Sequence, residues 1–283
     1  MTPPRWLRSG RVVAGLAVLA LVAACALLAP WIAPHDPDEQ DLLATLLPAA
    51  WQSGGEHAHL LGTDGLGRDV LSRLLYGSRV ALTVAFVAAL GAAGFGSLLA
   101  YVAGYFGGWA DWAIGRAVEV WMSFPPVILS LILMTGLGTG ERNVILAIIL
   151  VDWTRFCRVL RSEVLVVTRR DYVTAARLVG FSHLRTILRE VVPATIPLLI
   201  TLLALEMGIA VVVEAILSFV GLGVKSSQIA WGQMIADGRE AIYQAPWNLL
   251  APVCAIFVTV SAFNMLGDGL RRSLDLRLVE GRE

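Results

Sequence analysis

The sequence has little charge, little cysteine and a single lysine, Lys225. Only 16% of its 283 residues are charged, whereas 57% are hydrophobic, and the mean hydropathy is +0.72. Soluble domains carry nearer about 25% charged residues, and a soluble fold of this length could not bury so much apolar surface in one core. The net charge is zero, which provides no overall field for nucleic acid. Composition therefore favours a protein whose solvent is lipid.

Motifs of catalysis, nucleotide binding and metal binding are also missing. The glycine-rich stretch 62–68 lacks the lysine of a phosphate-binding loop, and we find no Gly-x-Ser-x-Gly, paired-Asp or His-Glu-x-x-His motif. His57 and His59 have no third ligand at a suitable spacing, and His35 and His183 stand alone. The three cysteines show neither disulfide nor zinc spacing. We therefore predict no catalytic residue, no metal site and no bound cofactor.

Long apolar runs are what the sequence does have. A bilayer core requires about 20 apolar residues per helix; five runs reach that length, and a shorter one at 144–156 is counted with them. We therefore predict an all-α, polytopic membrane bundle of six transmembrane helices. The runs cover residues 12–33, 79–105, 114–137, 144–156, 196–220 and 247–266.

Arginine placement predicts the orientation of these spans. Arginines cluster before the first span, in the segment 154–195 and after the last span, whereas the loop 34–78 begins with acidic residues. By the positive-inside rule both termini are cytoplasmic and 34–78 is external. The resulting division is 1–78 (tail, first span, external loop), 79–270 (five-helix core with a cytoplasmic loop at 157–195) and 271–283 (cytoplasmic tail). The first apolar run continues past Cys25, longer than the core of a signal peptide, so we expect it to stay uncleaved.

The cytoplasmic loop contains two short helical patterns joined by a glycine. Tyr172, Ala175, Ala176 and Val179 share one helical face, with Asp171 as a possible cap. A left-handed turn at Gly180 would end this helix. Ser182 would cap the second, whose apolar face is formed by Leu184, Ile187, Leu188 and Val191, and Pro193 would break it before the fifth span. We expect the apolar faces of both helices to point inward and their basic residues to point outward. The pattern fits a helix lying on lipid, a DNA-binding helix-turn-helix, or a docking element; the small residues favour docking.

The same segment resembles the EAA loop of ABC importer permeases. Thr174-Ala175-Ala176, Gly180 and Pro193 match its spacing, although Thr174 replaces the usual glutamate. The resemblance implies that residues 171–193, with Asp171, Tyr172 and Arg185 among them, form the coupling helix that docks on the ATPase. Four other stretches, 59–73, 217–223, 231–232 and 264–271, resemble the C-type permeases of the dipeptide, oligopeptide and nickel family in the expected order.

This resemblance implies a fold like that of type I ABC importers and transport by alternating access. It also implies four kinds of partner: a second homologous permease, two ABC ATPase subunits that bind the ATP, an extracytoplasmic solute-binding protein, and membrane lipid. Peptides are the expected cargo. Nickel or its chelates, and glutathione, remain alternatives, and a stand-alone channel or a membrane enzyme fits the motifs less well.

Two acids in the fifth apolar run are candidates for the translocation path. Glu206 and Glu214 are eight residues apart, roughly on one helical face. A charge inside a membrane costs free energy and marks either a pathway or a buried partner. The alternative to a role in the path is a carboxyl that is hydrogen-bonded between helices.

Glycines in the second run would allow close packing, within the subunit or against a partner permease. Pro125 and Pro126 should kink the third span.

Overall fold

The computed structural model describes residues 9–225 and 227–280, which form ten α-helices. They are α1 (Gly10–Ile32), α2 (Val70–Phe106), α3 (Gly108–Met122), α4 (Pro126–Leu137), α5 (Glu141–Val167), α6 (Asp171–Leu178), α7 (His183–Thr186), α8 (Val192–Phe219), α9 (Trp231–Glu240) and α10 (Trp247–Glu280). A π-helical turn, Ile187–Val191, joins α7 to α8. Within the described residues there is no β-strand, only one isolated bridge between Thr63 and Asp69. The predicted all-α class is confirmed.

Four helical segments are long and apolar enough to cross a membrane. They are α1, α2, the continuous segment His183–Phe219, and Trp247–Ser273 of α10. The pair α3 and α4, bent by 88°, would make a fifth, which agrees with the kink predicted at Pro125 and Pro126. The remaining predicted span, the fourth run at 144–156, lies in α5, whose 27 residues would extend about 40 Å. α5 carries too many charged residues to qualify as a span by composition. The helices are therefore consistent with six spans, but composition identifies only four or five of them.

Helices α2 and α5 extend well beyond the apolar runs from which their spans were predicted. α2 begins at Val70 rather than Arg79, because Asp69 caps it by accepting a hydrogen bond from the Ser72 backbone N–H. α5 continues to Val167, well beyond the predicted end at Phe156, and so takes up the first part of the segment assigned to the cytoplasmic loop. The continuation is stabilised by packing, since Leu160 and Val164 are fully buried.

Small residues on α2 let it pack closely against α5, its most extensive helix neighbour. A Cβ atom added at Gly96 would meet Phe156 Cβ at 2.8 Å, and one at Gly104 would meet Val164. Gly91 faces Ile149 in the same way, whereas nothing lies within 4 Å of Gly94. Three of the four glycines therefore serve packing within the subunit.

The start of α1 and the loop 168–182 lie at the same end of the bundle. α1 runs antiparallel to α2, with Arg79 Nε donating to the Ala26 carbonyl oxygen at 2.6 Å. The other end of α2 contacts His183, whose ring centroid is 5.8 Å from that of Phe106. Gly269 of α10 lies directly against Val12 at the start of α1. Arg5, Arg8 and Arg282, which contribute to the predicted charge pattern, lie outside the described residues.

The opposite end of the bundle is closed by the loop 33–69 and by α9, a helix that the sequence did not predict. Arg68 Nε donates to Asp64 at 2.7 Å, and its guanidinium also pairs with Asp237 of α9 at 3.3 Å. Trp231 Nε1 donates to the Leu74 carbonyl oxygen at 2.9 Å. The glycine-rich stretch 62–68 is therefore a folded turn held by ion pairs.

Candidate functional site

The coupling segment, defined here as residues 171–193, is fastened to the bundle by a few buried side chains. Val173 is 2% exposed and Val191 and Thr186 are fully buried. Val173 and Val191 pack in one cluster with Leu160 and Val164 of α5. The segment is thus a structured extension of the core, held in a defined position.

The predicted glycine turn between the two helices is confirmed. Gly180 has φ +94°, a region that favours glycine. Its N–H donates to the Arg177 carbonyl at 3.0 Å, and the Phe181 N–H donates to the Ala176 carbonyl at 3.1 Å, which closes the end of α6. Ser182 caps α7 as predicted, accepting from the Arg185 N–H at 3.4 Å.

The expected cap at Asp171 was wrong. Arg170 occupies the N-cap position and makes no side-chain cap, while Asp171 is the first helical residue. There its carboxylate lies in the first turn, where a negative charge is favoured by the helix dipole. Asp171 is exposed, as are Thr174 and Ala175.

The apolar faces predicted to turn inward lie mostly on the surface instead. Val179 is 80% exposed, Leu184 66% and Leu188 57%, and Leu178 beside them reaches 84%. Only Ile187 and Val191 of the predicted second face are partly or fully buried. The protein therefore presents an exposed apolar surface at this end, which a partner could cover.

The second helix does not end at Pro193 as predicted. Four residues of α7 continue through the π-helical turn into α8, so His183–Phe219 is one helical segment. Proline lacks an N–H and cannot complete the regular bond to the carbonyl four residues earlier. The π-turn, with the Val192 N–H bonded to the Ile187 carbonyl oxygen, accommodates the proline without breaking the helix.

Cationic and aromatic groups surround the exposed surface. Arg185 stacks over the Phe181 ring, 4.1 Å from its centroid, and Arg177 contacts His183 Nε2 at 3.2 Å. Partial burial raises the pKa of Tyr172, so its phenol is neutral at physiological pH and can donate a hydrogen bond. Ala176 is half-buried, and its small side chain would leave room for another backbone to approach.

Glu206 belongs to a buried charge cluster between α5 and α8. It is 1% exposed, and one carboxylate oxygen accepts from Arg155 at 2.9 Å. Arg155 also lies 3.8 Å from Asp152, itself 4% exposed. Arg155 was not among the predicted site residues, because it was counted only among the arginines of the segment 154–195 that indicate the orientation. An arginine three residues after an aspartate within an apolar run was the available signal, since the two share a helical face.

Glu214 has a different environment. Its side chain is 1% exposed and accepts from Ser218 Oγ at 2.6 Å, one turn along the same helix. This bond satisfies Oε1 within the helix, whereas Oε2 is buried and has no hydrogen-bond partner among the described residues. The structure thus gives both glutamates partners within the chain, and their role in a translocation path stays a prediction.

Comparison with known proteins decides the family. The sequence model described as "Binding-protein-dependent transport system inner membrane component" matches residues 96–280. The model described as "N-terminal TM domain of oligopeptide transport permease C" matches residues 5–49. The chain belongs to this family of transport permeases.

Curated relatives extend over nearly the whole chain. The dipeptide transport system permease protein DppC of Haemophilus influenzae is 36% identical over 93% of this chain and 90% of its own length. The corresponding DppC of Escherichia coli is 40% identical over 96% of this chain and 90% of its own length. The nickel transport system permease protein NikC of Escherichia coli is 40% identical, covering 93% of both chains. This protein is accordingly a multi-pass inner-membrane permease subunit without an ATPase activity of its own.

Proposed function

We propose that this chain is the C-type permease subunit of an ATP-driven importer for di- or oligopeptides, coupled to its ATPases through residues 171–193. The partners are a second homologous permease, two ATPase subunits and an extracytoplasmic solute-binding protein. ATP is bound by the ATPase subunits. Both termini face the cytoplasm, as the arginine distribution predicts.

The observation that carries this proposal is the exposed apolar surface of the coupling segment. Leu178 and Val179 are both exposed at the end of α6, close in sequence to the half-buried Ala176. A helix that lies on lipid would sit flat with its basic residues at the headgroups. The short helix α6 instead ends in a tight turn with apolar residues exposed at that end, a shape suited to a groove on a soluble protein.

The continuity of the coupling segment with α8 supports a mechanism. The segment His183–Phe219 is one helical body, and Glu206 and Glu214 lie on it. A displacement of the docked end would therefore move α8 relative to α5, across the Arg155–Glu206 contact. Alternating access requires an element with two arrangements whose balance is shifted by ATP at one end and by solute at the other. α8 is the element proposed for that role.

Peptide cargo is supported by the names of two relatives, and a second candidate has comparable support. The nickel permease relative is as similar as the dipeptide permease of the same organism, each at 40% identity. Nickel, free or chelated, is therefore the alternative cargo. In both cases the solute-binding protein would select the ligand.

Copurification tests the assembly. The tagged chain is extracted from native membranes in mild detergent, and the proteins retained are identified by mass spectrometry. An ABC ATPase pair, a second permease and a solute-binding protein are expected. A chain that purifies without any ATPase, while remaining folded, would contradict the proposed function and favour a stand-alone channel.

Uptake measurements separate the two cargoes. Cells lacking the chromosomal gene for this chain are supplied with labelled dipeptide or with radioactive nickel. Loss of dipeptide uptake alone, restored by the wild-type gene, supports the peptide assignment. Loss of nickel uptake alone supports the alternative.

A further inference from the structure

Two histidines and an aspartate that are far apart in sequence meet at the outer end of the bundle. His35 follows α1, His59 lies in the loop 33–69, and Asp69 is the N-cap of α2. The imidazole rings are stacked with centroids 4.5 Å apart. This cluster corrects the sequence-based view that His35 stands alone and that His59 lacks further ligands.

One oxygen of Asp69 faces both rings. His59 Nδ1 lies 3.0 Å from Asp69 Oδ1, and His35 Nδ1 lies 3.8 Å from the same atom. The three potential ligand atoms all lie within 4.8 Å of one another. Ligands at the about 2.0 Å bond length of zinc are separated by roughly 3.3 Å in a tetrahedron, so small ring rotations would bring this set to coordination distance.

The other oxygen of Asp69 is already engaged. Oδ2 accepts from the Ser72 N–H at 2.8 Å and from Ser72 Oγ at 2.7 Å. Ser72 Oγ also accepts from the His35 backbone N–H at 3.1 Å. These bonds hold the aspartate in one orientation, with Oδ1 directed at the histidines, which is the outer support that metal ligands commonly have.

Hydrogen bonding leaves part of this cluster unsatisfied. His59 Nδ1 can donate to Asp69 Oδ1, but His35 Nδ1 is buried and has no hydrogen-bond partner among the described residues. A buried polar atom without a partner costs free energy. A ligand that engages this nitrogen together with Asp69 and His59 would remove the cost.

We propose that His35, His59 and Asp69 form a binding site for a divalent transition-metal ion of the zinc type, with water completing the coordination. Two imidazoles and one carboxylate suit Zn²⁺ or Ni²⁺, whereas Mg²⁺ and Ca²⁺ prefer oxygen ligands. Each ring would bind through Nδ1, so the proton on His59 Nδ1 would move to Nε2. The ion would fasten the chain after α1 to the start of α2.

Neighbouring charges permit a cation here. Arg73, four residues after Asp69 on α2, is balanced by Asp64 at 3.7 Å and Asp38 at 3.8 Å. Asp69 is fully buried as a side chain, whereas His35 retains 30% exposure. The exposed ring gives an ion arriving from the outer side a route to the buried oxygen.

Zn²⁺ binding to the purified full-length chain, with its copurifying partners, tests the proposal. Zn²⁺ alone is the probe; bound metal is measured by equilibrium dialysis, and thermal unfolding is followed with and without Zn²⁺. Loss of a residue that hydrogen-bonds to a metal ligand weakens metal binding by roughly 10- to 100-fold. Because His35→Ala and His59→Ala each remove a ligand itself, each should weaken Zn²⁺ binding by more than that. Asp69→Asn, which keeps an acceptor for the helix cap, should also weaken it. His57→Ala is the matched control, because His57 is exposed and outside the cluster.

Retention of about one Zn²⁺ per chain, lost in the cluster variants and kept by the His57 control, supports the site. Zn²⁺ should then raise the unfolding temperature of the wild type but not of His35→Ala. The proposal is overturned if the wild type retains no Zn²⁺ or if the His57→Ala control loses as much bound Zn²⁺ as the cluster variants. It is also overturned if Mg²⁺ at the same concentration displaces half of the bound Zn²⁺. Since the readout is metal binding, it does not depend on which cargo the importer carries.

Discussion

Replacing Leu178 and Val179 together by serine should detach the ATPases while leaving the permease folded. These side chains are 84% and 80% exposed, so the free subunit gains almost nothing from their burial. Covering an apolar side chain of this size contributes about 1.5–3 kcal/mol. The pair should therefore supply roughly 3–6 kcal/mol to docking, and since about 1.4 kcal/mol corresponds to a tenfold change, the double variant should bind the ATPases about 10²- to 10⁴-fold more weakly.

The assay titrates purified ATPase subunits onto the tagged permease in nanodiscs and measures the fraction retained. Leu43→Ser is the control, since Leu43 is 98% exposed in the loop 33–69 at the other end of the bundle. Unfolding temperature is measured in parallel to show that both variants are folded. Unchanged ATPase affinity in the folded double variant would refute docking through this surface.

The remaining predictions concern the turn, the helix packing and the buried charges. Gly180→Val should uncouple ATP hydrolysis from uptake, since a β-branched residue resists the left-handed conformation, whereas Gly180→Asn should retain coupling; coupled uptake by the valine variant would count against the model. Gly96→Ala should lower the unfolding temperature, with overpacking costing about 1–3 kcal/mol, and Gly94→Ala should not; equal effects would mean that α2 and α5 do not pack as described. Arg155→Gln should destabilise the protein more than Glu206→Gln, because it leaves buried acids unpaired; the reverse order in thermal unfolding would contradict this.

Much of the fold could be predicted because it depends on properties that run along the chain. Apolar length located five of the six predicted runs in helices of spanning character, with the bent pair counted as one. The left-handed turn at Gly180 and the cap at Ser182 were also predictable, since both act within a few residues. The end of α5 was placed too early, because the charged residues after Phe156 are typical of a loop. The buried residues of this part of the helix, such as Leu160 and Val164, are apolar, and α5 packs on α2.

The two short helices and the glycine turn of residues 171–193 were predicted, whereas the direction in which their apolar residues face was not. Residues 171–193 were selected by spacing, yet the apolar faces were expected to point inward. The anchor of the segment is Val173, a residue outside the predicted face, which leaves Val179 and Leu184 on the surface. Helical periodicity shows which residues share a face but not what that face contacts. The π-turn before Pro193 was equally out of reach, because it arises from joining α7 to a long packed helix.

By itself, the sequence determined that the protein lies in lipid, that it is all-α, that a glycine turn follows the first short helix, and that it resembles importer permeases. Each of these depends on local composition or on the spacing of a few residues. Only the tertiary structure decided which helices are neighbours. It paired Arg155 with Glu206, 51 residues apart, and it brought His35, His59 and Asp69 together. Such contacts depend on distance in space, which for residues on different helices is set by packing of the whole bundle rather than by separation along the chain.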